Sequence, residues 1–104
     1  MIVEVVRFRH PPGSSRNDII AGAEATVDRW RANEQLRRKL YLASQDNAEG
    51  VGIYLWPSVE AARQGHDAEW IAQAEKRTGA PVHISYYDLL MELDNQAGTL
   101  TRPD

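Results

Sequence analysis

The chain has 104 residues, of which 42% are hydrophobic and 26% are charged, and its formal net charge is −3 at pH 7. This length and composition are typical of one globular domain, and the small negative charge excludes the broad basic surface that nucleic-acid binding requires. The absence of cysteine excludes disulfides and thiolate-bound metals. No apolar run is long enough to span a membrane, and the charged start MIVEVVRFRH is unlike a signal peptide, so we expect a cytoplasmic protein.

The first half of the chain predicts a strand, a helix and a second strand. The first strand covers residues 2–8 or 2–9 and ends at the turn formed by HPPG. Ser14 and Ser15 compete as the N-cap of the following helix, and Asp18 lies where a capping box places its acid. The apolar spacing carries this helix to near Asn33, and residues 39–44 form the second strand. The basic run 37–39 is too short for a phosphate-binding face and is predicted to be a solvated edge.

The second half predicts a strand, a helix and a final strand. Residues 51–56 form a third strand, which Pro57 ends because proline has no backbone donor. Ser58 is the expected N-cap of a helix that runs to about Arg77, and Gly79 is its C-terminal cap. Residues 82–93 form the fourth strand. The polar remainder leads us to expect one domain over residues 1–95 and an irregular C-terminal tail over 96–104.

The order strand, helix, strand, strand, helix, strand indicates an α+β ferredoxin-like fold, a four-stranded antiparallel sheet with two helices on one face. Both faces of the third and fourth strands are apolar, as GVGIYLW and PVHISYYDLLM show. Two helices cover only one face, and an exposed apolar face of this size is unusual in a monomer. We therefore expect a homodimer in which the sheets of two copies face each other.

One stripe of the second helix combines apolar residues with a histidine. Val59, Ala62, His66, Trp70 and Ala74 recur at helical spacing, so His66 and Trp70 are expected to point toward the sheet. Such a stripe is compatible either with simple core packing or with the wall of a ligand pocket. The spacing does not distinguish the two.

Three stretches carry a resemblance to a known family. They are QLRRKLYLAS, GIYLWPSVEAARQGHDAEW and PVHISYYDLLMELDN. Together they resemble the YdhR-like branch of the dimeric α+β barrel group, which includes the antibiotic-biosynthesis monooxygenases. The resemblance extends from the first strand to about Asn95. It implies a homodimer with a small-molecule pocket in each subunit, between the sheet and the helices.

Such a pocket would have an aromatic lining, and the resemblance implies cofactor-independent monooxygenation of a small phenolic or quinone-like compound. That chemistry needs a dry enclosure, donors that hold a phenolate and a proton acceptor. His66 is the candidate acceptor, although a hydrogen-bonded core histidine explains it equally. Tyr86 and Tyr87 point to opposite faces, so only one of them can line the pocket. The candidate substrate-binding residues are Trp30, Tyr54, Trp56, Trp70, His83 and Tyr86.

Other chemistries have weaker support. His66 and Glu69 are three residues apart on the helix, but no second pair of ligands accompanies them, so no metal or other cofactor is expected. The haem-degrading members of the group use an asparagine in the first strand and a tryptophan and a histidine on the second helix. Here the first strand has no asparagine, and no histidine follows Trp70 on its helix. An isomerase-type or decarboxylase-like enzyme on a ring substrate and a non-catalytic binding or stress-related dimer remain as alternatives, because one fold hosts all of these functions.

Overall fold

A computed structural model describes residues 1–103 of the protein. The fold is built on a four-stranded antiparallel sheet. The strands are β1 (Ile2–Arg9), β2 (Arg38–Ala43), β3 (Glu49–Trp56) and β4 (His83–Asp88). Their order across the sheet is β2-β3-β1-β4, which places β1 in the interior between β3 and β4. This is the ferredoxin-like α+β arrangement predicted from the sequence.

Four helices lie in the two crossovers: α1 (Arg16–Glu24), α2 (Val27–Arg31), α3 (Val59–Gly65) and α4 (Ala68–Thr78). The predicted caps are confirmed. Ser15 forms a capping box with Asp18, Ser58 accepts a bond from the backbone of Ala61, and Gly79 ends α4 in the left-handed conformation at φ 72°. None of the described helices is long and apolar enough to cross a membrane.

The prediction of two continuous helices was wrong, because each crossover helix is interrupted. In the first, the Thr26 hydroxyl donates to the carbonyl of Ala23 at 2.7 Å, and this local bond competes with helix continuation. In the second, His66 leaves the helical region at φ −121° and ψ 67°, and the Asp67 side chain accepts from the backbone N–H of Trp70 as a new N-cap. Polar side chains that bond to nearby backbone favour helix ends over helix interiors.

The C-terminal segment also differs from its prediction. β4 ends at Asp88 instead of continuing to Leu93, and a small hairpin follows, formed by β5 (Glu92–Asp94) and β6 (Thr99–Thr101). The Asp94 carboxylate accepts from the backbone of Gln96 and Ala97 and so supports the turn. The residues expected to form an irregular tail therefore include a strand, because local turn chemistry pairs them with β5.

The sheet has two unlike faces. The helices cover the face that carries Glu4, Val6, Tyr54 and Trp56, and the core cluster lies there with Trp30, Ala61 and Ala62. The opposite face has no covering helix among residues 1–103, and Leu40, Leu42 and Tyr87 on it are 54%, 44% and 55% exposed. At its β2 edge Arg38 forms an ion pair with Glu92 of β5 at 2.8 Å. The core is therefore confined to the layer between sheet and helices.

Candidate functional site

A carboxylate lies at the centre of the covered sheet face. Glu4 on β1 is the cross-strand neighbour of Tyr54 on β3 and of Tyr86 on β4. Its side chain has no solvent exposure. Because a charged group is rarely buried without partners, the surroundings of Glu4 define the candidate site.

His66 is the nearest polar group to this carboxylate. Its Nδ1 lies 2.8 Å from Oε1 of Glu4, and its side chain is equally inaccessible to solvent. Trp56 donates its indole N–H to the same Oε1 at 2.9 Å. The interruption between α3 and α4 places His66 at a helix end, where its ring lies over the middle of the sheet.

The Glu4–His66 contact is close but is not an aligned hydrogen bond. Glu4 Oε2 and both ring nitrogens of His66 are buried and have no regular hydrogen-bond partner among the described residues. Unsatisfied buried polar groups cost roughly 1–3 kcal/mol each. Packing alone would therefore favour apolar residues at these two positions, so Glu4 and His66 form the centre of the candidate site.

Aromatic side chains enclose the imidazole of His66. Its ring centroid is 4.4 Å from that of Trp70, 4.5 Å from Tyr54, 4.9 Å from Trp30 and 6.4 Å from Trp56. The predicted residues Trp30, Tyr54, Trp56, Trp70 and His66 are thus brought together, and Tyr86 packs partly buried against the same cluster. Such an enclosure excludes water and strengthens electrostatic interactions inside it.

Two tyrosines of this cluster have raised pKa values, which favours their neutral forms. Burial, and then the Glu4 carboxylate, raise the pKa of Tyr54 far above its ordinary value. The same two causes, in the same order, raise the pKa of Tyr86, while Arg63 opposes them. Both hydroxyls are therefore protonated at neutral pH and available as hydrogen-bond donors.

Lys39 on β2 belongs to the site as well, contrary to the prediction of a solvated basic edge. Its ammonium contacts the Tyr54 hydroxyl and lies 3.8 Å from the centroid of the Tyr54 ring. Burial lowers the pKa of Lys39 to about 7, although the Glu4 carboxylate opposes the shift. Arg37 and Arg38 of the same run are exposed, as predicted.

His83 lies apart from the other predicted residues. It pairs with Arg7 in the β1–β4 register, which puts it on the uncovered face, and it is exposed. His83 does not join the aromatic cluster, because strand alternation sends its side chain away from the helices. It lines a separate depression of about 200 Å³ with Arg7 and Pro81. Tyr87 lies on that same face, so Tyr86 is the tyrosine of β4 that faces the cluster.

A shallow depression lies outside the cluster. Its volume is about 280 Å³, and its lining is mainly charged and polar: Arg29, Asp67, Glu69, Trp70, Gln73 and Arg77. Trp70 is shared between this depression and the ring of His66. Glu69 points into the depression while His66 faces Glu4, and no group of three potential metal-ligating residues occurs among residues 1–103.

The strand order and the helical crossovers match the ferredoxin-like α+β fold of antibiotic-biosynthesis monooxygenases. No protein-family model matches the sequence. No curated protein matches it either.

Solved structures with this fold include Rv0793 from Mycobacterium tuberculosis, which has a TM-score of 0.67 and 22% identity, with 89% of this chain and 98% of that one covered. A Streptomyces coelicolor monooxygenase from ActVA-Orf6, solved with nanaomycin D, has a TM-score of 0.63 and 23% identity over 83% and 84%. SnoaB from Streptomyces nogalater, a cofactor-independent oxygenase, has a TM-score of 0.60 and 14% identity over 85% and 91%. These similarities establish the shared fold.

Two site residues were not recognised from the sequence. Glu4 shares its strand face with Ile2, Val6 and Phe8, which are all apolar. A single acidic residue on an apolar strand face indicates a buried carboxylate, so the sequence contained a signal for Glu4. Lys39 has a weaker signal, since it alternates with Leu40 and shares its face with Tyr41. Neither signal indicated which face the helices would cover.

Proposed function

We propose that this protein is a cofactor-independent monooxygenase of a small phenolic or quinone-like aromatic compound. The observation that carries the proposal is the Glu4–His66 contact of 2.8 Å inside an aromatic enclosure between sheet and helices. The fold shared with a cofactor-independent oxygenase supports it. The motifs quoted above further suggest a place in the YdhR-like branch.

In the proposed reaction His66 takes the proton of the bound phenol. Glu4 orients the ring and stabilises the imidazolium that forms, as a buried carboxylate does in other acid–base pairs. The resulting substrate anion transfers electrons to dioxygen. One oxygen atom enters the product as a carbonyl, and the other leaves as water. The aromatic walls keep bulk water from the anion.

Access to His66 requires a side chain to move, because its ring is enclosed. Trp70 is only partly buried, lines the outer depression and lies against His66. Rotation of Trp70 would join that depression to the imidazole. We therefore propose that the substrate approaches from the α4 side, and that its ring replaces the contact between Trp70 and His66.

Oxygen uptake with a panel of hydroquinones and anthrone-like phenols tests this function. We expect uptake by the wild-type protein and a loss of about 10²-fold or more in His66→Gln, which removes the proton acceptor. His83→Gln is the matched control, because His83 is exposed on the other sheet face. Absence of uptake across the panel, or equal uptake by His66→Gln, would refute the proposed chemistry.

A second candidate is a non-catalytic or stress-related dimer that binds a small aromatic molecule. The complete enclosure of His66 favours it, since a buried imidazole also serves as a structural residue. Ligand-induced thermal stabilisation without oxygen uptake would support this candidate. Isomerisation of a ring substrate without oxygen uptake would instead support the isomerase-type alternative.

We also propose that the functional unit is a homodimer formed by the uncovered sheet faces. Leu40, Leu42 and Tyr87 supply the exposed apolar surface of that face. The segment after β4 adds Leu90, Met91, Leu93 and Leu100, which are between 52% and 76% exposed. A second copy of the chain offers an equally apolar surface, and obligate dimer interfaces have this composition.

A further inference from the structure

Lys39 is held in an aromatic cage at the β2 edge of the sheet. Its Nζ lies 3.8 Å from the ring centroid of Tyr54, 4.2 Å from that of Tyr41 and 5.2 Å from that of Trp30. The Tyr54 hydroxyl contacts the same nitrogen. Lys39 therefore differs from a lysine in an aliphatic core, which would have no such polar partner, and from a lysine in solvent, which would have no surrounding rings.

Trp30 and Tyr54, two walls of the cage, belong to the buried core, whereas the third wall, Tyr41, lies beside a loosely packed helix. None of the residues of α1 is buried, and the α1–α2 junction contacts the sheet through Thr26, whose hydroxyl lies 3.0 Å from that of Tyr41. Tyr41 itself is 42% exposed. The amine is therefore near the surface, behind one exposed ring and one exposed hydrogen bond.

Among residues 1–103, no carboxylate pairs directly with the amine. The Glu4 carboxylate on β1 interacts with the amine electrostatically at longer range. Tyr41 on β2 and Tyr54 on β3 contact the amine through their rings. The Arg29 guanidinium on α2 lies over the Trp30 ring at 4.9 Å. Burial outweighs the effect of Glu4, so a large part of the population carries a neutral amine at neutral pH. A neutral amine is a nucleophile, whereas an ammonium is not.

We propose that Lys39 is a covalent binding site for aromatic aldehydes, which it holds as an imine. The amine nitrogen attacks the carbonyl carbon and the carbonyl π bond breaks. The Tyr54 hydroxyl donates a proton to the carbonyl oxygen and regains one from the nitrogen, which gives a neutral carbinolamine. The carbinolamine then loses water, which leaves a C=N bond between the former carbonyl carbon and Nζ. The rings of Trp30 and Tyr41 stack against the aromatic part of the aldehyde. Imine formation requires no proton transfer at His66, although the rings of Trp30 and Tyr54 contact both Lys39 and His66.

The chain provides its own reference for a labelling experiment, because its two lysines are Lys39 and Lys76. Lys76 is exposed on α4. The full-length protein is incubated with benzaldehyde at neutral pH, reduced with sodium cyanoborohydride, and mapped by mass spectrometry. We expect secondary-amine formation at Lys39 to exceed that at Lys76 by about tenfold or more, since each unit of pKa changes the neutral fraction tenfold. Equal labelling of the two lysines would overturn the proposal.

Two variants and a second aldehyde test the parts of the proposal. Lys39→Arg retains the cation and should abolish labelling at this position while the labelling of Lys76 persists. Tyr54→Phe retains the ring and should slow labelling at Lys39; an unchanged rate would overturn the proton-donating role of Tyr54. Propanal should show less preference for Lys39 than benzaldehyde, and an equal preference would overturn aromatic recognition by the cage. Imine formation without any oxygen uptake would leave this site standing and the monooxygenase refuted.

Discussion

Glu4 is the residue on which the site depends, because it joins β1 to the indole of Trp56 and to His66. Removing either partner of a buried polar pair leaves the other without compensation. Removing both can be less harmful than the sum of the two changes, since no orphaned group remains. This asymmetry gives a direct test of the pair.

We predict that Glu4→Leu and His66→Leu each lower the free energy of unfolding by about 3 kcal/mol. The double variant should lose about 1–3 kcal/mol less than the sum, as residues in contact do in a double-mutant cycle. Urea denaturation measures all three. Glu4→Leu combined with Ile20→Ala on the exposed side of α1 is the control and should be additive. Additivity for Glu4 and His66 would show that their contact carries no energy.

Lys39 links the fold to pH. Its pKa in the folded protein, about 7, lies below the ordinary lysine value of 10.5. Between these values the unfolded chain binds more protons than the folded one, so the free energy of unfolding should rise with pH through this window. Below it both states are protonated, and the destabilisation due to burial of the charge is complete.

We predict that Lys39→Met reduces the rise in the free energy of unfolding with pH, since methionine keeps a flexible apolar side chain and removes the amine. The measurement compares urea unfolding at about pH 7 and about pH 9, below the range in which exposed tyrosines ionise. Lys76→Met is the control, because Lys76 is exposed and should leave the slope unchanged. If the wild-type protein and Lys39→Met change equally with pH, the amine is not buried as described.

At the scale of elements, α3 is fitted to the sheet through Gly65. A Cβ placed there would lie 2.6 Å from Cη2 of Trp56, which is fully buried. The indole is itself held by its bond to Glu4, so it has little freedom to move away. The absence of a side chain at Gly65 is thus a packing requirement of the site and has no role in a turn.

We predict that Gly65→Ala destabilises the protein by about 1–3 kcal/mol through overpacking. Gly22→Ala in α1 is the matched control: a Cβ there meets nothing within 4 Å, and alanine should be neutral or stabilising by up to about 1 kcal/mol. Thermal and urea unfolding compare the two variants. A neutral Gly65→Ala would mean that α3 can shift relative to Trp56, and that the enclosure of His66 is looser than its contacts indicate.

At the scale of the whole molecule, the two faces of the sheet divide the proposed functions. The covered face holds the acid–base pair and the cage of Lys39, while the uncovered face offers apolar side chains for assembly. Leu40 is cross-strand to Ile53 on the uncovered face and is 54% exposed. It is therefore a position at which assembly can be changed without replacing a residue of the covered face.

We predict that the wild-type protein is dimeric at micromolar concentration and that Leu40→Asp shifts it toward monomer, since a charge would be buried in the interface. Sedimentation velocity measures the change. Ile20→Asp is the control because Ile20 is 46% exposed on α1, away from the sheet. A stable wild-type monomer would leave the uncovered face without the proposed partner, and equal dissociation by both variants would place the interface elsewhere.

The sequence by itself determined the order of strands and crossovers and the caps at Ser15, Ser58 and Gly79, because these features depend on local periodicity and on backbone bonds between near neighbours. It did not reveal the helix interruptions at Thr26 and His66, where side-chain bonds to nearby backbone outweigh continuous apolar spacing. The tertiary structure alone decided which sheet face the helices cover. Because the helices cover this face, Glu4 lies against His66, Lys39 is partly buried and His83 is exposed. Alternation along a strand assigns side chains to two faces, but it does not indicate which face is buried.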